Sequence, residues 1–185
     1  MSTSLPALGP TLETARLILR PPVREDFEHY AAMMADAENA RFIGGLMPRE
    51  VAWRSWAMIT GGWALQGFGL FSVIEKESGQ WIGRVGAWMP EGWPGTEVGW
   101  GLVRRAWGQG YAGEAATAAI DWAFDTLGWT DVIHCIDPEN APSIALAKRL
   151  GSTRLRAQHM PPPWQDSINE IYGQSCEQWR IRQRR

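Results

Sequence analysis

One stretch, Glu97 to Ala116 (EVGWGLVRRAWGQGYAGEAA), constrains the fold more than any other. Glu97 to Val103 is a short apolar run of strand type. Gly99 and Gly101 lie inside it, and glycine within a strand marks a bulge or the close approach of a ligand to the backbone. Arg104 and Arg105 follow, and then Gly108, Gly110 and Gly113. From Tyr111 the pattern turns helical, with Ala112, Ala115, Ala116, Ala119, Ile120, Ala123, Phe124 and Leu127 on one face. A glycine-rich turn therefore opens into a helix start. Such an end carries unpaired N–H donors and a partial positive charge, which suits a phosphate. The two arginines add charge and forked hydrogen bonding. A plain connecting turn is one alternative. A dinucleotide fingerprint is another, since Gly108, Gly110 and Gly113 formally satisfy G-x-G-x-x-G. That fingerprint should follow its strand at once, yet Arg104 to Trp107 intervene. The acid expected about twenty residues on is not clearly placed.

The flanks read as regular elements of one domain. ARLILR, Ala15 to Arg20, alternates as a strand that Pro21 and Pro22 end. Arg24 to Asp36 is helical, with Glu25, Asp26 and Glu28 in its first turn. Ala40 to Met47 is a loop. Pro48 opens a second helix, Arg49 to Leu65. Phe68 to Lys76 and Gln80 to Trp88 form a hairpin around Ser78-Gly79. Gly128 closes the central helix. DVIHCI, Asp131 to Ile136, is a strand. Asn140 caps a helix from Ala141 to Leu150, which Gly151 ends. Thr153 to Gln158 and Asn169 to Gly173 are further strands, with a stiff insertion, His159 to Asp166, between them. Ser175 and Gln178 form a capping box for a terminal helix. Residues 1–12 read as a loose tail, 13–180 as a single domain and 181–185 as a solvated basic tail.

Composition limits the function. The formal net charge of −2 gives no electrostatic case for nucleic acid. No apolar run is long enough for a membrane span. The opening MSTSLPALGP lacks the basic and apolar regions of a signal peptide. Cys135 and Cys176 show no C-x-x-C spacing and read as free, buried thiols, so a cytoplasmic setting is expected. The 12 tryptophans read mainly as core or groove walls. No cluster has metal-ligand spacing, so no metal is expected.

Arg105, Gly108 and Gly110 match R/Q-x-x-G-x-G/A, the signature of the GNAT superfamily of acetyl-CoA-dependent N-acetyltransferases. Four segments in order resemble the branch that includes the ribosomal-protein acetyltransferases RimJ and RimL. They are ETARLILRPPVREDF, EVGWGLVRRAWGQGYAGEA, NAPSIALAKRLGS and YGQSCEQW. The resemblance covers nearly the whole chain from about residue 13. It implies an α/β (α+β) fold with a mixed, mostly antiparallel sheet of about seven strands. A bulged or splayed central strand and flanking helices belong to it.

The resemblance also implies a site. Gly101, Leu102 and Val103 would hold the pantetheine arm of acetyl-CoA as if it were another strand. Arg105 and the amides of Gly108, Gln109, Gly110, Tyr111, Ala112 and Gly113 would hold the pyrophosphate. Asn140 and Ser143 match positions near the cofactor's lower arm. Glu97 occupies the position of the general base, with His134 as its rival. A plain strand-end carboxylate and a satisfied core histidine are the bland readings of the two. Many members protonate the leaving thiolate with a tyrosine of the fourth helix. Ala147 stands there in this chain, which leaves Ser143, a water or no acid at all. The acceptor would be a peptide N-terminus or a small amine. Trp53, Trp56, Trp88, Trp93 and Trp164, with Glu25, Asp26 and Glu28, would favour a cationic one. A homodimer is left open. A catalytically weak acyl-CoA sensor on the same fold is the alternative function.

Overall fold

The computed structural model describes residues 8–184. The strands are β1 (Leu12–Glu13), β2 (Leu17–Arg20), β3 (Leu70–Glu75), β4 (Trp81–Trp88), β5 (Glu97–Leu102), β6 (Asp131–Ile136), β7 (Thr153–His159) and β8 (Ile168–Ser175). The helices are α1 (Phe27–Met34), α2 (Ala37–Ala40), α3 (Arg49–Gln66), α4 (Tyr111–Asp125), α5 (Ala141–Arg149) and α6 (Cys176–Gln183). The strands form one sheet in the order β1-β2-β3-β4-β5-β6-β8-β7, eight against the expected seven or so. The extra strand is β1, which pairs Leu12 with Leu19 and Glu13 with Ile18. Two residues are too short to show a period, so this end of the chain reads from sequence as tail. The rest of that tail, residues 1–7, lies outside the described residues.

Every neighbouring pair is antiparallel except β5 and β6. Those two are joined through α4, the long crossover that a parallel pair requires. The run of small residues in α4 lets it sit close on the sheet. Ala115, Ala116, Ala119 and Ala123 pack with Val85, Ala87 and Val98 in the main core. Trp63, Phe71 and Trp122 fill the end of that core edge-on and tilted, with ring centroids 4.8–5.8 Å apart. The Trp63 indole N–H donates to Leu70 O at 3.1 Å, so the ring is buried without an orphan donor. On the opposite face, α1 and α3 bury Phe27, Tyr30, Met34, Trp56 and Ile59 against Leu70 and Trp81. Each large apolar side chain buried this way contributes about 1.5–3 kcal/mol.

The terminal arginines are more than a solvated tail. α6 runs to Gln183, with Trp179 fully buried and its indole N–H on Asp121 at 2.8 Å. Arg180 pairs with Asp125 of α4, and Arg182 donates to Arg149 O at the end of α5. The basic residues clasp the last helix to its two neighbours. Cys135 and Cys176 are free, each half-buried rather than fully buried. Among the described residues no helix is long and apolar enough to cross a membrane.

Candidate active site

The site begins where β5 leaves β6. β5 keeps six residues in register with β4, from Trp88↔Glu97 to Gly83↔Leu102, with no shift. Against β6 it has one register pair, Glu97↔Ile133, reinforced by Ile133 N–H on Thr96 O at 2.9 Å. Beyond that point the two strands part. The central strand is therefore splayed, and its ladder with β4 holds no bulge.

The alternation of β5 decides which backbone groups face the gap. Val103 N–H donates to Ile82 O at 2.9 Å, on the β4 side. Residues two apart repeat that direction, so Gly101 and Gly99 also point to β4. Trp100 and Leu102 point the other way. Val98 O and Leu102 O confirm this, since they accept from His134 Nδ1 at 2.7 Å and Trp107 Nε1 at 2.7 Å. Of the three strand residues expected to hold an extended arm, only Leu102 offers its backbone to the gap. Gly101 and Val103 spend theirs on the ladder, while Trp100, like Leu102, faces the gap. The period-two rule was available from sequence. What was missing was the phase.

The glycine-rich turn sits at the far end of the gap. Gly108 and Gly110 adopt φ of +73° and +79°, where only glycine is unstrained. Gly110 is the N-cap of α4, and Glu114 N–H closes the first helical bond on Gly110 O at 3.1 Å. Among the described residues, no backbone N–H from Gly108 to Gly113 donates to a protein acceptor. Six consecutive donors are thus free at a helix N-terminus, an arrangement suited to phosphate. Arg16 braces this turn from outside. Its guanidinium donates to Gln109 O at 2.9 Å, pairs with Glu114 at 2.6 Å and lies over the Tyr111 ring.

The two arginines before the turn do not join it. The chain makes a single 3₁₀ turn at Arg104–Ala106, which throws both side chains outward. Arg105 donates to Trp81 O at 3.0 Å, and Arg104 pairs with Glu38 and Asp36. Arg105 therefore anchors the turn to β4 rather than lining the cleft. Asn140 caps α5 by accepting from Ser143 N–H at 3.2 Å, and Ser143 Oγ accepts from Trp100 Nε1 at 3.2 Å. Both line the cleft, while Ala147 is fully buried one turn below Ser143.

Glu97 stands at the opposite end, only 7% exposed. Its two oxygens accept from the indole N–H of Trp93 and, at 3.2 Å, from Cys135 N–H. Burial opposes its charge more strongly than these donors support it, and pushes the carboxyl up to about 7. Glu97 in turn pushes the Cys135 thiol up, adding to the effect of burial. The rival base is 1% exposed and fully engaged. His134 Nδ1–H donates to Val98 O, and Nε2 accepts from Ser152 Oγ at 3.0 Å, which Gln174 also bonds. Burial takes its pKa down to about 4, so it is a satisfied core histidine.

Between these ends runs a cleft of about 1140 Å³. It holds Glu97, Trp100, Leu102, Gly108, Gly110 to Gly113, Asn140 and Ser143. Trp88, Trp93 and Trp164 form its other wall in an edge-to-face series, with centroids 6.3 and 6.1 Å apart. Trp53 and Trp56 do not reach it. Trp56 is buried in the second core and Trp53 packs on Phe27, while α3 sends in Ser55, Met58 and Ile59 instead. The acids of the first helical stretch are also absent from it. Asp26 is buried between Arg20 and Ser72, Glu28 pairs with Arg49, and Glu25 is not among the lining residues. The expected acidic wall does not form, and with it goes the argument for a purely cationic acceptor.

A splayed strand gap, a helix start with free N–H donors and a buried carboxylate share one cleft. Comparison with known proteins gives the family. The family model described as the acetyltransferase (GNAT) domain matches residues 16–153. The uncharacterized N-acetyltransferase p20 of Bacillus licheniformis is 33% identical over 143 residues, 76% of this chain and 80% of that protein. An acetyltransferase from Agrobacterium tumefaciens superposes with a TM-score of 0.78 at 32% identity, covering 94% of this chain and 96% of that one. Mycobacterium smegmatis RimJ, solved with CoA-disulfide, shares the fold with a TM-score of 0.69 at 16% identity, over 87% of this chain and 82% of its own. The chain belongs to the GNAT acetyltransferase family, and its sheet is the mixed GNAT sheet with eight strands.

Proposed function

We propose that this protein transfers an acetyl group from acetyl-CoA to a primary amine by direct attack in a ternary complex, with Glu97 as general base. The observation that carries this reading is the shared cleft. Free amides at one end and a carboxyl poised near neutrality at the other flank the open edge of β5. The fit to coenzyme A rests on the unpaired donors from Gly108 to Gly113. They complement a pyrophosphate, as the N–H groups of Trp100 and Leu102 complement an extended amide-bearing arm. Acetyl-CoA supplies an activated acyl group with a good leaving thiolate.

The chain's own residues then do the remaining work. The cleft holds donor and amine together, which removes much of the entropic barrier. An alkyl ammonium is almost wholly protonated at pH 7 and cannot attack. Glu97 near 7 is matched to take that proton, directly or through a water. The N–H groups of Trp100 and Leu102 on the gap side of β5 could donate to the thioester oxygen as it gains charge. Ser143, bonded to Trp100, is a hydroxyl candidate for returning a proton to the thiolate. The RimJ neighbour solved with CoA-disulfide supports coenzyme A as the donor's carrier, and the resemblance to RimJ and RimL supports a peptide N-terminus or small amine as acceptor.

Binding gives the first test. Acetyl-CoA at about a hundred times its dissociation constant should stabilise the folded chain by roughly 2.7 kcal/mol, read as a rise in Tm. NAD should give none. A shift with NAD and none with acetyl-CoA would remove the basis of this reading.

A further inference from the structure

The sheet face of Glu97 also carries a cation, Arg84, whose charge acts on Glu97 by favouring its ionised form. β4 and β5 pair residue by residue, with Trp88 opposite Glu97, Gly86 opposite Gly99 and Arg84 opposite Gly101. Opposed residues share a face, as do residues two apart along a strand. Arg84 and Glu97 therefore stand on the same face of adjacent strands, four residues or about 13 Å apart along the strand direction. Gly86, Gly99 and Gly101 lie between them, with the Glu97 carboxyl leaning over Gly99 (3.3 Å from where a Cβ would stand) and Ile43 over Gly101 (3.5 Å).

Arg84 lines the cleft, and its buried Nε–H has no hydrogen-bond partner among the described residues. It also joins none of the ion pairs among them. Buried polar donors in native proteins are nearly always satisfied, so this one calls for a partner, a water or a ligand. A guanidinium stays charged at every working pH and offers a planar fork that matches a carboxylate. The cleft thus presents a carboxylate and, on the same sheet face, a guanidinium without an ion-pair partner among the described residues. That pattern complements a zwitterion.

We propose that Arg84 receives a carboxylate of the acceptor, so that the substrate is an amino acid or another small amine with a carboxylate on the same molecule. Held by Arg84, such a molecule has its ammonium toward Glu97. Ser55, Met58 and Ile59 of α3 then face its side chain. The proposal rests on the acetyl-transfer reading of this cleft and narrows it from amines in general to carboxylate-bearing ones.

The test uses matched pairs, each an amino acid and its carboxamide, with kcat/KM measured for the parent, Arg84→Gln and Arg84→Lys. A charge-assisted, forked contact is worth roughly 10- to 100-fold in discrimination. The parent should prefer the acid of each pair by at least about 10-fold. Arg84→Gln should bring the ratio to within a few-fold of one through loss on the acid. Arg84→Lys, charged but unforked, should fall between. Acetyl-CoA affinity by calorimetry should match the parent's in both variants, which reports that they fold. A parent ratio near one, or a parent-like ratio in Arg84→Gln, overturns the role of Arg84 and leaves acetyl transfer standing. A parent that binds acetyl-CoA but acetylates neither member of any pair, nor any other amine, overturns the transfer reading and the proposal with it.

Discussion

Glu97→Gln should lower kcat by at least about 10²-fold at pH 7 with acetyl-CoA affinity little changed, because positioned general bases contribute roughly 10²- to 10⁴-fold. The parent's kcat should rise with pH through about 7 as the buried carboxyl ionises. The variant's deficit should shrink at higher pH, where free amine becomes abundant without help. Stability should move in a distinct way. Both Glu97 oxygens accept from N–H donors. A glutamine can satisfy only one of them, and the cost is about 1–3 kcal/mol. The raised carboxyl also ties the parent's stability to pH. Folding favours its neutral form, so the contribution is complete below about 4.5 and is lost as pH rises through about 7. A rise from 4.5 to about 7 corresponds to about 3 kcal/mol. Glu97→Gln should lack that slope in denaturant titrations across this range. A variant that keeps kcat within a few-fold at pH 7, with both substrates saturating, would make Glu97 a structural carboxylate.

Gly110→Val should abolish acetyl-CoA binding while leaving a folded protein. Gly110 sits at φ +79° as the N-cap of α4, amid the run of free amides. A β-branched residue resists that conformation, so the turn must shift and its donors lose their common aim. The protein itself leaves room, since an added Cβ would meet only Arg16 Nη2 at 3.5 Å. The damage should therefore fall on binding. Gly79→Val supplies the control. Gly79 has φ +67° and open space around it, on a hairpin outside the cleft. It should show a comparable loss of stability with parent-like affinity. Calorimetric affinity of Gly110→Val within a few-fold of the parent would move the phosphate site elsewhere.

The parts of this architecture legible in the sequence are local ones. The glycines of the turn and the alanine stripe of α4 carry their own geometry. The capping box at Ser175 and Gln178 and the Asn140 cap form as the spacing predicts. Glu97 was legible as a position but not as an environment. Its burial comes from Trp93 in the preceding loop and Cys135 on a strand far along the chain. Arg105 shows the opposite failure. Its type and spacing suit a phosphate, yet a one-turn 3₁₀ segment aims it at Trp81 O. Side-chain direction in so short a turn is set by the neighbour it meets. Asp26 and Glu28 sit at a helix start, as the sequence implies, but Arg20 and Arg49 claim them. Arg84 left a faint signal, a charge inside an apolar hairpin strand. Only the pairing of β4 with β5 puts it on the face of Glu97.

The most direct test of the central claim is turnover. Acetyl-CoA would be incubated with the protein and a panel of amines that includes amino acids, peptides and simple alkylamines. Free CoA thiol would be followed against a blank without amine, and products would be identified by mass. The account predicts thiol release that depends on the amine and matches N-acetylated product in amount. Tight acetyl-CoA binding with thiol release no faster than the blank for every amine would contradict it.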